Sequence, residues 1–300
     1  MLLPITGSRR RPFPRWGRRL WSHAKAPLAR SRRLGRPRAL RAALLASSAL
    51  LLAALPAAAQ NATWNNPATV AGPVAGTFDF NANANWTPAA VPIVTAFFGV
   101  SSTPNLSFSA PSTTTGGWTF NAGASNYIFT NANSLTFNGF NGAGIVINGG
   151  SATINNNNVL RFVDASTAGS ATINNSSGVN INDIKTVTFS DISTAGSATI
   201  NNNSTVGFRL NSTAGSATIT NNDFLFFAES STAGSATITN NLRVDFVGTS
   251  TAGSATITNN RFLVFSGSST GGTARLINGA AATIDLRLIG FGTRRAQVPA

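Results

Sequence analysis

The stretch Ser231-Thr232-Ala233-Gly234-Ser235-Ala236-Thr237-Ile238-Thr239-Asn240-Asn241-Leu242-Arg243-Val244-Asp245-Phe246 decides the fold. Its opening phrase, Ser-Thr-Ala-Gly-Ser-Ala-Thr-Ile, also begins at Ser166, Ser193, Ser212 and Ser250, with a degenerate copy at Ser269 and a truncated forerunner ending at Ile154. The phrase ends at Ile154, Ile173, Ile200, Ile219, Ile238, Ile257 and Leu276, in steps of 19, 27, 19, 19, 19 and 19 residues. Units this short, rich in β-branched residues and turn formers, bury an apolar side only by stacking on one another.

Within a unit, Ala-Thr-Ile alternates small apolar, polar and large apolar, the period of a strand with one face inward. Ala217 and Ile219 are therefore expected inside and Thr218 outside. A second strand follows, with an aliphatic column at Leu160, Val187, Val206, Leu225, Val244 and Leu263. Two residues later, at the same inward parity, comes Phe162, Phe189, Phe208, Phe227, Phe246 and Phe265, a stack belonging to the core. Between the strands stand Asn156, Asn175, Asn202, Asn221, Asn240 and Asn259, expected to turn the chain in left-handed geometry and to pair amide on amide from copy to copy. Thr-Ala-Gly supplies the return bend, with Gly169, Gly196, Gly215, Gly234 and Gly253 at its sharpest point.

The fold class is thus all-β: a right-handed parallel β-helix with rungs of about 19 residues, the hand following from the preference of parallel crossovers. A propeller needs more residues per blade than one unit offers. Residues 60–133, rich in Asn, Pro and aromatics, are read as the cap of the solenoid; 134–284 carry the repeats; 285–300 form an irregular tail, basic at Arg294 and Arg295.

Residues 1–59 read as a signal peptide with a long basic n-region. Of the 22 Lys and Arg, 13 lie between Arg9 and Arg41; an apolar run, Ala42 to Leu55, and the small residues Ala57, Ala58 and Ala59 follow. Cleavage is expected after Ala59, and no stop-transfer pattern favours the alternative of an uncleaved anchor. The pairs Arg9-Arg10 and Arg32-Arg33 do not continue as a twin-arginine signal, so the general export machinery is the expected partner. Beyond it, 9 basic residues face 8 acidic ones, a net charge of 9 − 8 = +1, and Arg161, Lys185, Arg209, Arg243 and Arg261 stand far apart. Nucleic acid, which needs clustered cations, is not an expected partner.

Catalytic and metal chemistry find few residues. There is no cysteine, and the single histidine, His23, lies in the signal, so imidazole triads and the usual zinc sites are excluded. The acids Asp79, Asp164, Asp183, Asp191, Asp223, Glu229, Asp245 and Asp285 fall about one per rung. Asp164 and Asp191 share a column two residues beyond Phe, but it continues as Leu210, Glu229, Gly248 and Gly267, so no acidic row develops. No catalytic residue, cofactor or metal is expected; solvated loop acids are set against the rival reading of a β-helical polysaccharide lyase or hydrolase. A self-associating fibre subunit is the third class, since open rung ends are unpaired strands. The one long step, from Ile173 to Ile200, adds 27 − 19 = 8 residues between Asn175 and Val187. Asn180, Asn182, Asp183 and Lys185 are the candidate recognition loop, set against a harmless insertion in a tolerant turn.

Asn85-Trp86-Thr87-Pro88, Val91-Pro92 and Ala96-Phe97-Phe98-Gly99 resemble the N-terminal passenger region of bacterial autotransporters. Gly117-Trp118-Thr119-Phe120, Leu135-Thr136-Phe137-Asn138-Gly139 and the Ala-Gly-Ser-Ala-Thr-Ile units resemble their passenger-associated repeats, so that the resemblance covers residues 60–284. It implies an exported, adhesin-like, non-enzymatic passenger, moving through the periplasm to the cell surface, the outer membrane or the medium. It also implies an outer-membrane translocator barrel as partner. That barrel's strands are missing here, which implies a truncated or frame-disrupted passenger or a translocator on a separate chain; the loss of pattern after Leu286 favours truncation. No residue identifies a surface receptor or glycan ligand.

Overall fold

The computed structural model describes residues 60–65, 71–139, 143–177, 185–288 and 294–295. The chain winds as an all-β parallel solenoid of about nine turns. Each turn visits three faces. The isoleucine sheet holds strands such as Thr199–Asn202, Thr218–Asn221 and Thr237–Asn240. The phenylalanine sheet holds Thr205–Phe208, Phe224–Phe227 and Arg243–Phe246. The third face begins as full strands, Thr95–Phe98, Gly117–Phe120 and Gly144–Ile147, and narrows to one parallel bridge per turn at Thr167, Thr194, Thr213, Thr232, Thr251 and Thr270. What reads in sequence as a return bend is therefore also a ladder.

Pairing is in register: Ile200 faces Ile219, Ile219 faces Ile238, and Phe208 faces Phe227. A slip by one residue would turn every Ile and Phe to solvent, so alternation fixes the register. Ala217 and Ile219 are buried and Thr218 is exposed, as the parity requires. Across the long step the register is kept, with Ile173 on Ile200 and Phe162 on Phe189.

The core is a set of identical files. Phe137, Phe162, Phe189, Phe208, Phe227, Phe246 and Phe265 stack with ring centroids 4.7–4.9 Å apart and planes within 7° of parallel. The spacing is that of parallel strands, imposed on the rings by the backbone. Beside them run buried Ala195, Ala214 and Ala233, and Ala198, Ala217 and Ala236, whose small side chains leave the interior room for the rings. Towards the N-terminus the file gives way to interlocked aromatics. Trp118 packs on Phe129 at 4.1 Å and edge-on to Phe137 at 4.7 Å, while Trp86 meets Phe80 at 4.9 Å and Trp64 at 5.1 Å. Large rings of varied orientation fill the end of a solenoid, where no further rung supplies a matching side chain.

The edges are turned by antiparallel pairs: Trp86–Thr87 on Ala62–Trp64 at one end of the third face, and Arg294–Arg295 on Thr283–Leu288 at the far end of the phenylalanine sheet. Reversal of direction interrupts the parallel template that an open edge presents.

The asparagine column differs from expectation in one respect. Asn156, Asn175, Asn202, Asn221, Asn240 and Asn259 end their strands, lie fully buried, and none has a positive φ. The left-handed corner lies two residues past the phenylalanine, at Gly139, Asp164, Asp191, Leu210, Glu229, Gly248 and Gly267, with φ between 53° and 71°. Asparagine holds its place through its side chain. Each Nδ2 donates to Oδ1 of the next, from Asn131 to Asn278, at 2.7–2.9 Å. The same amides reach backbone carbonyls in the corner, so a primary amide satisfies groups that a turn would otherwise bury unpaired.

Candidate functional site

Parity places one set of side chains on the outer face of each phenylalanine-sheet strand, where Ala228, Asp245 and Val264 are buried beneath their neighbours and Phe224 and Phe226 are partly buried. With Leu225 and Phe227 inside, Phe224, Phe226 and Ala228 face outward; the next rungs present Arg243, Asp245 and Val247, then Phe262, Val264 and Ser266, then Thr283, Asp285 and Arg287. The preceding rung contributes Thr205, Gly207 and Arg209.

These residues engage one another. The Arg209 guanidinium lies 4.9 Å from the centre of the Phe226 ring and 3.6 Å from Glu229 Oε1. Phe226 leans across the bare backbone of Gly207, where any Cβ would collide with the ring. Phe224 and Phe226 stack at 5.5 Å. Arg243 donates through Nε and Nη2 to Asp245 Oδ1 and Oδ2 at 2.8 and 2.7 Å, a bidentate pair that raises the Arg243 pKa above its ordinary value. Its guanidinium also stands 5.9 Å from the Phe224 ring. Arg261 sits 5.4 Å from the Phe262 ring. Arg287 Nε donates to Asp285 Oδ2 at 2.7 Å, whereas Asp285 Oδ1 is buried with no hydrogen-bond partner. Burial raises the Asp223 pKa.

Two grooves flank the Arg243–Asp245 pair. One, of about 320 Å³, is lined by Arg209, Phe224, Phe226, Ala228, Glu229, Asp245 and Val247. The other, of about 330 Å³, is lined by Arg243, Phe262, Val264, Thr283, Asp285 and Arg287. The outer face of the isoleucine sheet is unlike this one. From Thr153 to Thr258 it repeats Thr and Asn, bordered by the exposed amide file Asn203–Asn222–Asn241–Asn260.

Of the loop candidates, Asn180, Asn182 and Asp183 lie outside the described residues. Lys185 rejoins the coil: its Nζ donates to Ser177 O at 3.0 Å, and its carbonyl accepts from Asn175 Nδ2 at 3.3 Å. The acids paired in sequence, Asp164 and Asp191, meet through the backbone, since Asp191 Oδ2 accepts from the Asp164 N–H at 3.1 Å. Glu229 Oε2 does the same for Leu210 at 3.1 Å, so both acids fasten the left-handed corner of the rung before. Asp79 fastens the N-terminal end, accepting from Asn81 N, Ser109 N and Ser109 Oγ. Among the described residues no three His, Cys, Asp or Glu gather where they could hold a metal ion.

The outward Phe224, Phe226 and Phe262 do not stand out in the sequence because they do not recur from unit to unit as the inward phenylalanines do. Their signal was present: aromatics at the polar parity of a strand, in rungs whose equivalents are Thr205 and Gly207. Compared with models of known families, with curated proteins and with solved structures, the chain matches none of them.

Proposed function

We propose that the chain is an exported, surface-displayed, non-enzymatic passenger of the autotransporter type, adhesin-like, whose solenoid is a rigid spacer and whose phenylalanine-sheet face meets the ligand. One observation carries this reading. Side chains able to recognise a partner, Arg209, Phe224, Arg243, Asp245, Phe262 and Asp285, converge on a single face, while the isoleucine face repeats Thr and Asn. Exposed aromatics and arginines are what recognition surfaces concentrate. The acids support a structural role, because Asp79, Asp191 and Glu229 spend their oxygens on backbone N–H groups.

The experiment is fractionation of bacteria producing the full chain, with protease added to intact cells and sequencing of the N-terminus. Exported, protease-accessible chain beginning after Ala59 is expected. Unprocessed chain retained in the cytoplasm overturns the reading.

Self-association into fibres is the second reading. It is favoured by the strand Arg275–Asn278, which ends the isoleucine sheet among the described residues without the antiparallel partner found on the phenylalanine sheet. Sedimentation of the full chain over a range of concentrations tests it; a monomer at every concentration removes it.

A further inference from the structure

Phe224, Arg243 and Phe262 occupy one column on three successive rungs, each paired in register with the next. The two rings are therefore two rungs apart, about 10 Å by twice the strand spacing. The bidentate Arg243–Asp245 pair stands between them, with a groove on either side. Each groove is of the size that holds a small ligand.

Three ion pairs lie on this face, Arg209 with Glu229, Arg243 with Asp245 and Arg287 with Asp285, and the two further charges that border it, Asp223 and Arg261, are of opposite sign. A matched face has little long-range pull on a polyanion or polycation, yet its ionised groups remain strong, fixed hydrogen-bonding partners. Arg243 commits Nε and Nη2 to Asp245, leaving its Nη1 side as donor. Asp285 lines the neighbouring groove; its Oδ1, closed to solvent, meets no donor among the described residues. A ligand that meets both side chains must donate and accept, and must lay apolar patches on aromatic rings. A sugar does so: its hydroxyls are donors and acceptors at once, and its C–H faces are apolar.

We propose that the outer face of the phenylalanine sheet from Arg209 to Arg287 binds a neutral oligosaccharide lying along the solenoid axis. Its rings stack on Phe224 and Phe262, and its hydroxyls bond to Arg243 and Asp285. The acceptors and donors are already held by their ion pairs, so little ordering is left for binding to impose. This deepens the surface-display reading by naming the ligand class of that face. Binding is measured in solution and export in cells, so failure of one is distinguishable from failure of the other.

The test is native electrophoresis of the full chain through gels containing neutral galactomannan, hydroxyethylcellulose or xylan, with anionic alginate as contrast. Retardation by at least one neutral polymer and none by alginate is expected. Phe262→Ala and Phe224→Ala, both outside the core, should each weaken retardation at least about tenfold in polymer concentration with an unchanged circular dichroism melt. Thr218→Ala, on the isoleucine face, should migrate as the parent does. No retardation in any neutral polymer, retardation by alginate alone, or full retardation of folded Phe262→Ala and Phe224→Ala overturns the proposal.

Discussion

Asn202 donates from Nδ2 to Asn221 Oδ1 at 2.7 Å, and the same nitrogen reaches the carbonyls of Ser204 and Phe224 at 3.1 and 3.0 Å. One buried amide thus ties its own corner to the rung above. Asn221 repeats the arrangement on Asn240, Asp223 and Arg243, so the file is a continuous polar chain within an apolar interior. Such chains are costly to interrupt because each break leaves partners on both sides unpaired.

Asn221→Ala removes the amide donor to Asn240 Oδ1, one of the three acceptors of Asn202 Nδ2, and the side-chain donor to the Asp223 and Arg243 carbonyls. At about 1–3 kcal/mol for each buried group left unsatisfied, the solenoid should lose about 2–4 kcal/mol, measured by urea denaturation. A loss no greater than that of an exposed Asn222→Ala control would mean that the file contributes no stability.

Phe227 is stacked between Phe208 at 4.8 Å and Phe246 at 4.7 Å and is fully buried. Phe227→Ala should cost about 3–5 kcal/mol. Thr218→Ser, on the solvent side, should cost far less. Equal, small shifts of the denaturation midpoint would show that the inward and outward faces are misassigned.

Leu210 holds φ 56° at a corner where Gly139, Gly248 and Gly267 serve in other rungs, and it is 45% exposed. A left-handed conformation costs a residue with a Cβ about 1–2 kcal/mol, partly offset by the chain entropy that glycine adds. Leu210→Gly should therefore raise stability by up to about 1 kcal/mol. At the opposite bend Gly215 combines φ 61° with a Cβ position 2.6 Å from the Gly196 carbonyl oxygen. Gly215→Ala should be destabilising by more than the left-handed penalty alone. A thermal melt of both variants checks the opposite signs.

Excision of residues 177–184 should leave the solenoid folded. Asn175 already contacts Asn202 at 2.8 Å, and the Lys185 carbonyl accepts from Asn175 as the Ser204 carbonyl does from Asn202. The shortened connection restores the 19-residue step with both flanking strands in place. Unchanged attachment to surfaces by the excised protein would deny the segment, Asn180, Asn182 and Asp183 included, any part in recognition. Loss of folding would deny that the coil closes without it.

The sequence by itself determined the solenoid, because each unit repeats the same side chain at the same parity. Identical residues at a fixed interval can share one interior only by stacking in register, so the Ile, Phe and Asn files follow from spacing alone. The sequence did not determine where the chain turns left-handed. Glycine advertises that corner at Gly139, Gly248 and Gly267 and aspartate tolerates it at Asp164 and Asp191, whereas at Leu210 and Glu229 the neighbouring rungs impose it on residues that do not favour it. Nor did it reveal that the Thr-Ala-Gly bend is a third ladder, since one bridge per turn leaves no alternation to read. The 19-residue spacing aligns Phe224, Arg243 and Phe262 in one column, but the Arg243–Asp245 pair and the grooves lined by Asp245 and Asp285 were decided by tertiary structure. Those residues lie 17 or more positions apart from rung to rung, and only the stacking distance, a property of the folded backbone, makes them neighbours.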